Sequence, residues 1–427
     1  METPELKYKV LVATDPCYPL SNTGFGIVGG KLMRGLVDSQ RFVVSHLARG
    51  YVGDDLTAWP ECRVWIPPAW DRNGYQWIIN AIKEEKPELI VIEADPGSIM
   101  EWRRNPEVRA IPNLVHTPVE AEPLLSPWAE AMAEIMLEGG RITCYTEYSK
   151  RVIDAATAPV LQAFGKDIAE SGMSARRFPE TEVLRLGVDH ADFRPDPELR
   201  AATRTRLGWR DNFVVLNVAR NAGRKNWPRL FEAVKLVVET HPEVLLYAHT
   251  IPFENYFLGG HDLFTLRRHL GMEDHIIFKR DMQDAYRGVP FDQSQLASGR
   301  GDLTLAAIYN AADLFCAPTG GEGHNLPQCE AAASGVPVAT TRYAGGWEVA
   351  QSFAMPLVPA DYHTDCNGMR FAAVRAADIA EVIIYALEHP QQAHACVQAG
   401  LAATAQMRWQ PTVERFVEIA VEMCASR

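Results

Sequence analysis

The sequence predicts an α/β protein built as two Rossmann-like domains, and three observations carry that expectation. Short apolar runs alternate with longer amphipathic ones, the rhythm of βα units stacked on a parallel sheet. The rhythm breaks at GVDHADFRPDPELR (187–200), rich in proline and charge, and then resumes as a second series. A length of 427 residues exceeds one ordinary core, while 47 % hydrophobic and 22 % charged residues are the composition of a folded soluble chain. The expected division is 1–190 and 191–409, with the linker at 187–200 and a terminal helix at about 410–427.

In chain order, the strand candidates of the first domain are KVLVA (9–13), RFVVSHLA (41–48), ELIVIEA (88–94), NLVHT (113–117) and RITCYT (141–146). Helical segments fall between most of them. The second series is FVVLNVA (213–219), EVLLYAHT (243–250), HIIFKR (275–280), DLFCAP (313–318) and PVATT (337–341). Residues 281–302 follow neither period and are expected to form a loop beside the site. RWQPTVERFVEIAVEM, near the C-terminus, has the spacing of an amphipathic helix.

A formal net charge of −12 offers no overall basic face for nucleic acid or acidic lipid. No apolar run reaches the length of a bilayer span, and Met1 and Glu2 do not open a signal-peptide core, so a cytoplasmic protein without a transmembrane segment is expected. Eight cysteines lie far apart with no Cys-x-x-Cys pair, which reads as reduced thiols rather than a disulfide framework or a metal site.

The stretch SNTGFGIVGG contains Gly24-x-Gly26-x-x-Gly29, the spacing of a dinucleotide-binding loop. In that fold the first glycine directly follows the first strand, and a carboxylate at the end of the second strand takes the ribose hydroxyls. Here PCYPLSNT intervenes, and the second strand runs out into Arg49 and Gly50. An NAD or FAD site is therefore disfavoured. Gly24 and Gly26 are left either as a packing turn or as a helix start that shows backbone N–H groups to another ligand.

Two segments of the second domain carry more chemistry. CAPTGGEGHNLPQCEAAASGVPVATT (316–341) runs from a strand into a glycine-bearing loop, then into a helix opened by Pro327. Glu322 and Glu330 bracket that helix start with Glu-x7-Glu spacing. Singly, each is equally a solvated or helix-favoured carboxylate. LNVARNAGRKNWPRLFEAVKLV (216–237) adds a strand that ends at Arg220 and a loop with Arg224 and Lys225. Cations at the mouth of a parallel sheet suit a diphosphate, since arginine takes two oxygens at once and lysine acts as a mobile charge. Both loops are expected at one sheet edge.

With these segments in this order, the chain resembles retaining glycosyltransferases of the GT-B fold, family 4, in the glycogen-synthase-like group. LRLGVDHADFRP, YTEYSKRVI and the N-terminal glycine loop add to the likeness. The resemblance implies two Rossmann-like domains facing each other across a cleft, with the C-terminal helix packing back on the first. It assigns the donor diphosphate to Arg220 and Lys225, the sugar hydroxyls to Glu322 and the nucleotide ribose to Glu330. Backbone N–H groups of Gly323, His324, Asn325 and Leu326 would face the sugar or phosphates, and Lys279 and Arg280 lie where such enzymes hold the base. His116 ends a strand where these enzymes often have a histidine near the donor sugar; a structural role remains the alternative. His324 departs from the pattern, an aromatic residue being common there.

The implied reaction moves a sugar from a UDP- or GDP-sugar to an acceptor with retention, in the cytoplasm and without cofactor or metal. No Asp-x-Asp pair, the usual mark of metal-dependent sugar-nucleotide enzymes, occurs in the chain. The acceptor stays open among saccharide, lipid-linked carrier, protein and modified nucleic acid. A nucleotide-sugar-binding module without turnover, and less so an NAD-dependent oxidoreductase, stand as alternatives.

Overall fold

The structure is a computed structural model that describes residues 7–53, 57–170, 178–253, 259–279, 281 and 303–426, with the side chains of 166–170 set aside. The chain divides into two compact units: Met1–Gly187 with Asn367–Met369 and Trp409–Arg427, and Val188–Cys366 with Arg370–Arg408.

The strands of the first unit are β1 (Tyr8–Thr14), β2 (Phe42–Ala48), β3 (Arg63–Trp65), β4 (Leu89–Glu93), β5 (Asn113–Thr117), β6 (Arg141–Cys144) and β7 (Glu182–Val183). They form one sheet in the order β3-β2-β1-β4-β5-β6-β7, parallel throughout. The second unit has β8 (Phe213–Val218), β9 (Val244–His249), β10 (Ile276–Phe278), β11 (Leu314–Ala317), β12 (Val338–Thr341) and β13 (Met355–Leu357), parallel in the order β10-β9-β8-β11-β12-β13. An antiparallel hairpin, β14 (Asp361–Thr364) and β15 (Arg370–Ala373), follows. Each sheet therefore starts at a central strand, winds outward, then returns to wind the other way.

The apolar runs are uninterrupted because both faces of each sheet are covered. In the second unit, Val215, Leu246 and Cys316 pack with Trp227 and Phe231 on one side. Val214, Leu216 and Phe315 pack with Tyr309 and Ala331 on the other. All ten strand candidates are present. The short β3, β7 and β13 went unseen because two or three residues show no period, and β14 because all four of its residues are exposed.

The linker is shorter than the sequence implied. Residues 197–200 already belong to the helix Pro197–Leu207, because Asp196 caps it by accepting from Leu199 N at 2.9 Å and Pro197 suits the first helical position. The same Asp-Pro pair that reads as a chain breaker is here a helix start. Residues 282–302, the expected loop, lie outside the described residues.

The terminal helix Trp409–Ala425 packs on the first unit. Phe416, Ile419, Ala420 and Met423 form its buried stripe. Thr412 donates to the Arg185 carbonyl, and Arg415 Nε binds Glu182 at 2.7 Å. Gly35, on the helix Gly24–Asp38, allows close approach: a Cβ there would lie 2.2 Å from Val413 Cγ1. Gly35→Ala is therefore expected to cost about 1–3 kcal/mol through overpacking. Val413→Ala in the same chain should recover part of that loss. Urea denaturation of the two single variants and the double variant checks this, and strictly additive effects would contradict the contact.

Candidate functional site

Strand order brings the two informative loops together. Winding reverses between β8 and β11, and ligands of open α/β sheets bind outside the carboxyl ends of the strands at such a reversal. The loop after β8 carries Arg220, Arg224 and Lys225. The loop after β11 carries Glu322 and runs into the helix Leu326–Ala333.

These loops are joined by both backbone and charge. Arg224 O accepts from Gly320 N at 2.6 Å and Thr319 Oγ1 at 3.3 Å, and Asn226 Nδ2 donates to Pro318 O at 2.8 Å. Asn226, at φ 55°, turns the chain into the helix Trp227–Val238. Glu322 is buried beneath them: its Oε2 lies 2.9 Å from Arg224 Nη1, and its Oε1 accepts from Lys225 Nζ. Arg224 Nη1 also donates to Gly321 O at 3.2 Å. Burial alone would raise the Glu322 carboxyl, but Arg224 and Lys225 outweigh it, with hydrogen bonds from Lys225 and Thr319, and hold it at about 2.

Glu330 lies one helix further in and has the opposite environment. It too is buried, but no cation faces it among the groups that set its ionisation; Tyr309 Oη donates to its Oε2 at 2.8 Å. Burial pushes its carboxyl up to about 7, Asp189 adds to the rise, and the Tyr309 bond opposes it. Near neutral pH the surroundings hold one glutamate of the motif as an anion and favour the protonated form of the other. Carboxyls whose environments are driven apart in this way are a mark of a functional site.

The segment between them leads into the helix start. Asn325, at φ 71°, opens the helix without a side-chain cap; its amide instead donates to Gln328 Oε1 at 3.2 Å. Gln328 Nε2 in turn holds His324 O at 3.0 Å and Gly346 O at 2.8 Å. Gly323, His324 and Leu326 are buried in this frame. The first turn of such a helix favours negative charge.

Arg220 stands at the same strand end with its side chain exposed, and its carbonyl accepts Trp227 Nε1 at 3.2 Å. The sequence paired Arg220 with Lys225; in the structure Lys225 shares Glu322 with Arg224. Lys279 follows β10 at the same edge, where burial lowers its pKa. Arg280 lies outside the described residues.

Gly24, Gly26 and His116 belong to the first unit. Thr23 caps the helix Gly24–Asp38 by accepting from Gly26 N at 3.0 Å, and its hydroxyl donates to Asp15 Oδ2 at 2.8 Å. A Cβ on Gly26 would lie 2.6 Å from Pro16 O, whereas one on Gly24 would meet nothing within 4 Å. Steric demand for glycine thus exists at Gly26 alone of the two. Arg49, at the end of β2 where a dinucleotide site needs a carboxylate, is bound to Asp15 at 2.7 Å. His116 on β5 is fully buried, with Nδ1 2.9 Å from Thr143 Oγ1 and its ring 4.8 Å from Tyr145 and 6.0 Å from Phe416. Burial lowers its pKa to about 3, so the imidazole is neutral.

Sequence reasoning missed Tyr309, Gln328 and the role of Arg224. Arg224 had a signal, its place beside Lys225 in a cationic loop. Tyr309 had none, since it reaches Glu330 from a separate helix.

Residues 292–388 match the family described as glycosyl transferases group 1. A stretch of 177 residues, 39 % of this chain, is 32 % identical to the GDP-mannose-dependent α-(1-6)-phosphatidylinositol monomannoside mannosyltransferase of Mycolicibacterium smegmatis; the match spans 40 % of that relative's length. Among solved structures, HepE of Anabaena, in complex with UDP and glucose, has a TM-score of 0.68 at 15 % identity, covering 97 % of this chain and 100 % of that one. Sucrose-phosphate synthase of Thermosynechococcus elongatus has a TM-score of 0.66 at 15 % identity, covering 99 % and 100 %. The fold is that of the GT-B glycosyltransferases, and the family and relative support a transferase.

Removing each charge in turn separates the two carboxylates. Glu322 is held below its ordinary 4.5, so its ionised form stabilises the fold above that pH, and the contribution fades as pH falls toward about 2. Glu330 is held above 4.5, so the fold favours its protonated form and loses that contribution as pH rises through about 7. At pH 8, Glu322→Gln should lower Tm and Glu330→Gln should raise it, by about 2–4 °C for each kcal/mol involved. At pH 5 the first effect should persist and the second shrink. Thermal melts at both pH values check this; shifts of the same sign at pH 8 would contradict the assignment.

Proposed function

We propose that the chain is a retaining glycosyltransferase that moves a sugar from a UDP- or GDP-sugar to an acceptor. The observation that carries the reading is the meeting of the Arg224/Lys225 loop with the Glu322 loop at the strand reversal of the second unit, with Glu330 behind it. The mannosyltransferase relative is named for a GDP-sugar, and HepE was solved with UDP and glucose, so both bases stay within the reading.

In this mechanism the bond from the anomeric carbon to the phosphate oxygen breaks, and one from that carbon to the acceptor oxygen forms. The acceptor proton leaves with the diphosphate. Arg220 and Lys225 neutralise charge growing on the departing phosphate, as do the N–H groups of the helix start. Glu322 accepts sugar hydroxyls and Glu330 accepts those of the ribose. Neither acts as a nucleophile, since each is given to holding the donor, Glu322 by its sugar and Glu330 by its ribose. His116 near the donor sugar, Lys279 and Arg280 near the base, and Gly24 and Gly26 in donor binding are further parts of the proposal. Recognition of the acceptor falls to the first unit.

The proposal includes a cytoplasmic location and independence from metal and cofactor. Among the described residues no helix is long and apolar enough to cross a membrane. Among the described residues no disulfide joins the eight cysteines, which suits a reducing compartment.

A panel of UDP- and GDP-sugars tests the reading in two steps. One donor should raise Tm, because a ligand of the native state adds stability, and should release nucleoside diphosphate when acceptors are supplied. Stabilisation without release would favour the binding module; neither effect with any donor would contradict both.

With the donor known, Lys225→Ala and Arg220→Ala should each lower turnover by about 100-fold or more while the far-ultraviolet dichroism is unchanged. Near-normal turnover in both would remove the diphosphate assignment. Exhaustive chelation should leave transfer intact; loss restored by Mg²⁺ or Mn²⁺ would require a mechanism built around a metal.

A further inference from the structure

Arg224 is connected to the Glu322 loop at several points. Its carbonyl accepts from Gly320 N and Thr319 Oγ1, and its guanidinium binds Gly321 O and Glu322 Oε2. Backbone and side chain thus grip four consecutive residues, 319–322. The remaining oxygen of the carboxylate, Oε1, goes to Lys225. The two partners differ in kind: the guanidinium is tied to the loop at a second point, Gly321 O, while Lys225 presents one point charge at the end of a flexible stem.

We propose that Arg224 is a positioning residue, which keeps Glu322 in place when Lys225 leaves it for the donor diphosphate. The idea rests on the glycosyltransferase reading. A phosphate carrying negative charge competes with Glu322 Oε1 for Lys225, and the exchange frees Oε1 to accept a sugar hydroxyl. Without Arg224 the exchange would leave a buried carboxylate with no cation, an arrangement that costs far more than the pair contributes. Arg224 holds Oε2 and makes the transfer of Lys225 tolerable. One buried carboxylate thereby serves in turn as a partner of Lys225 and as an acceptor for a sugar hydroxyl. Arg224 itself need touch neither phosphate nor sugar.

Arg224→Ala and Arg224→Lys test this, with dichroism to show that each folds; if the alanine variant does not, the lysine variant and Arg224→Gln carry the comparison. The first readout needs no donor. In the unliganded protein the Glu322 carboxyl, followed by ¹³C NMR and assigned with Glu322→Gln, should titrate at higher pH in Arg224→Ala than in the wild type and return part of the way in Arg224→Lys. An unmoved titration would overturn the positioning role, whatever the reaction proves to be.

The second readout is calorimetry with the nucleoside diphosphate and with the intact nucleotide sugar. Arg224→Ala should weaken binding of the diphosphate several-fold, because Lys225 must be drawn off a carboxylate left without a cation, but less than it weakens binding of the nucleotide sugar. It should lower affinity for the nucleotide sugar, or kcat/KM, by about tenfold or more, the loss expected for one charge-assisted hydrogen bond. Equal weakening of both ligands would make Arg224 a direct phosphate ligand and overturn the proposal, as would no weakening of either. If the wild type binds no nucleotide sugar, the functional reading fails and this proposal with it, while the carboxyl titration still reports whether Arg224 holds Glu322.

Discussion

The site depends on one buried charge. Glu322 has little solvent to stabilise it, and it stays ionised because Arg224 and Lys225 reach it from a different strand end. That pairing requires β8 and β11 to be neighbours, which they are only because the chain returns to the middle of the sheet after laying down β9 and β10. Topology thus brings together residues about a hundred positions apart. The loops could not hold this shape by themselves: each is anchored to the other by the Arg224 carbonyl and by the Asn226 amide.

The same motif contains the contrary case. Glu330, eight residues on, is as buried as Glu322 but answers to a neutral hydroxyl instead of cations. Two carboxyls of identical chemistry therefore differ in charge state near neutral pH for reasons that lie wholly in their surroundings. The fixed anion suits a partnership with phosphate-binding cations.

Much of the fold was legible because parallel strands buried on both faces give unbroken apolar runs, such as FVVLNV and LIVIE. The terminal helix was legible from its stripe at Phe416, Ile419, Ala420 and Met423. The edge strands β3, β7 and β13 were not, since so few positions establish no period. In the site, Glu322, Glu330 and Lys225 stood out because strand-loop-helix punctuation surrounds them. Tyr309 did not, being brought to Glu330 by helix packing alone, and the sharing of Glu322 by Arg224 and Lys225 is a matter of side-chain reach that spacing does not encode. His116 was visible as a strand-end histidine, but its enclosure by Tyr145 and Phe416 required the terminal helix to be in place.

If the strand reversal of the second unit is where a nucleoside diphosphate binds, a crystal structure of the protein soaked with UDP or GDP tests it most directly. The expected result is diphosphate oxygens within hydrogen-bond reach of Lys225 and Arg220, with the ribose hydroxyls on Glu330. A nucleotide seated away from the β8 and β11 loops, with Lys225 still on Glu322 and Glu330 untouched, would contradict it.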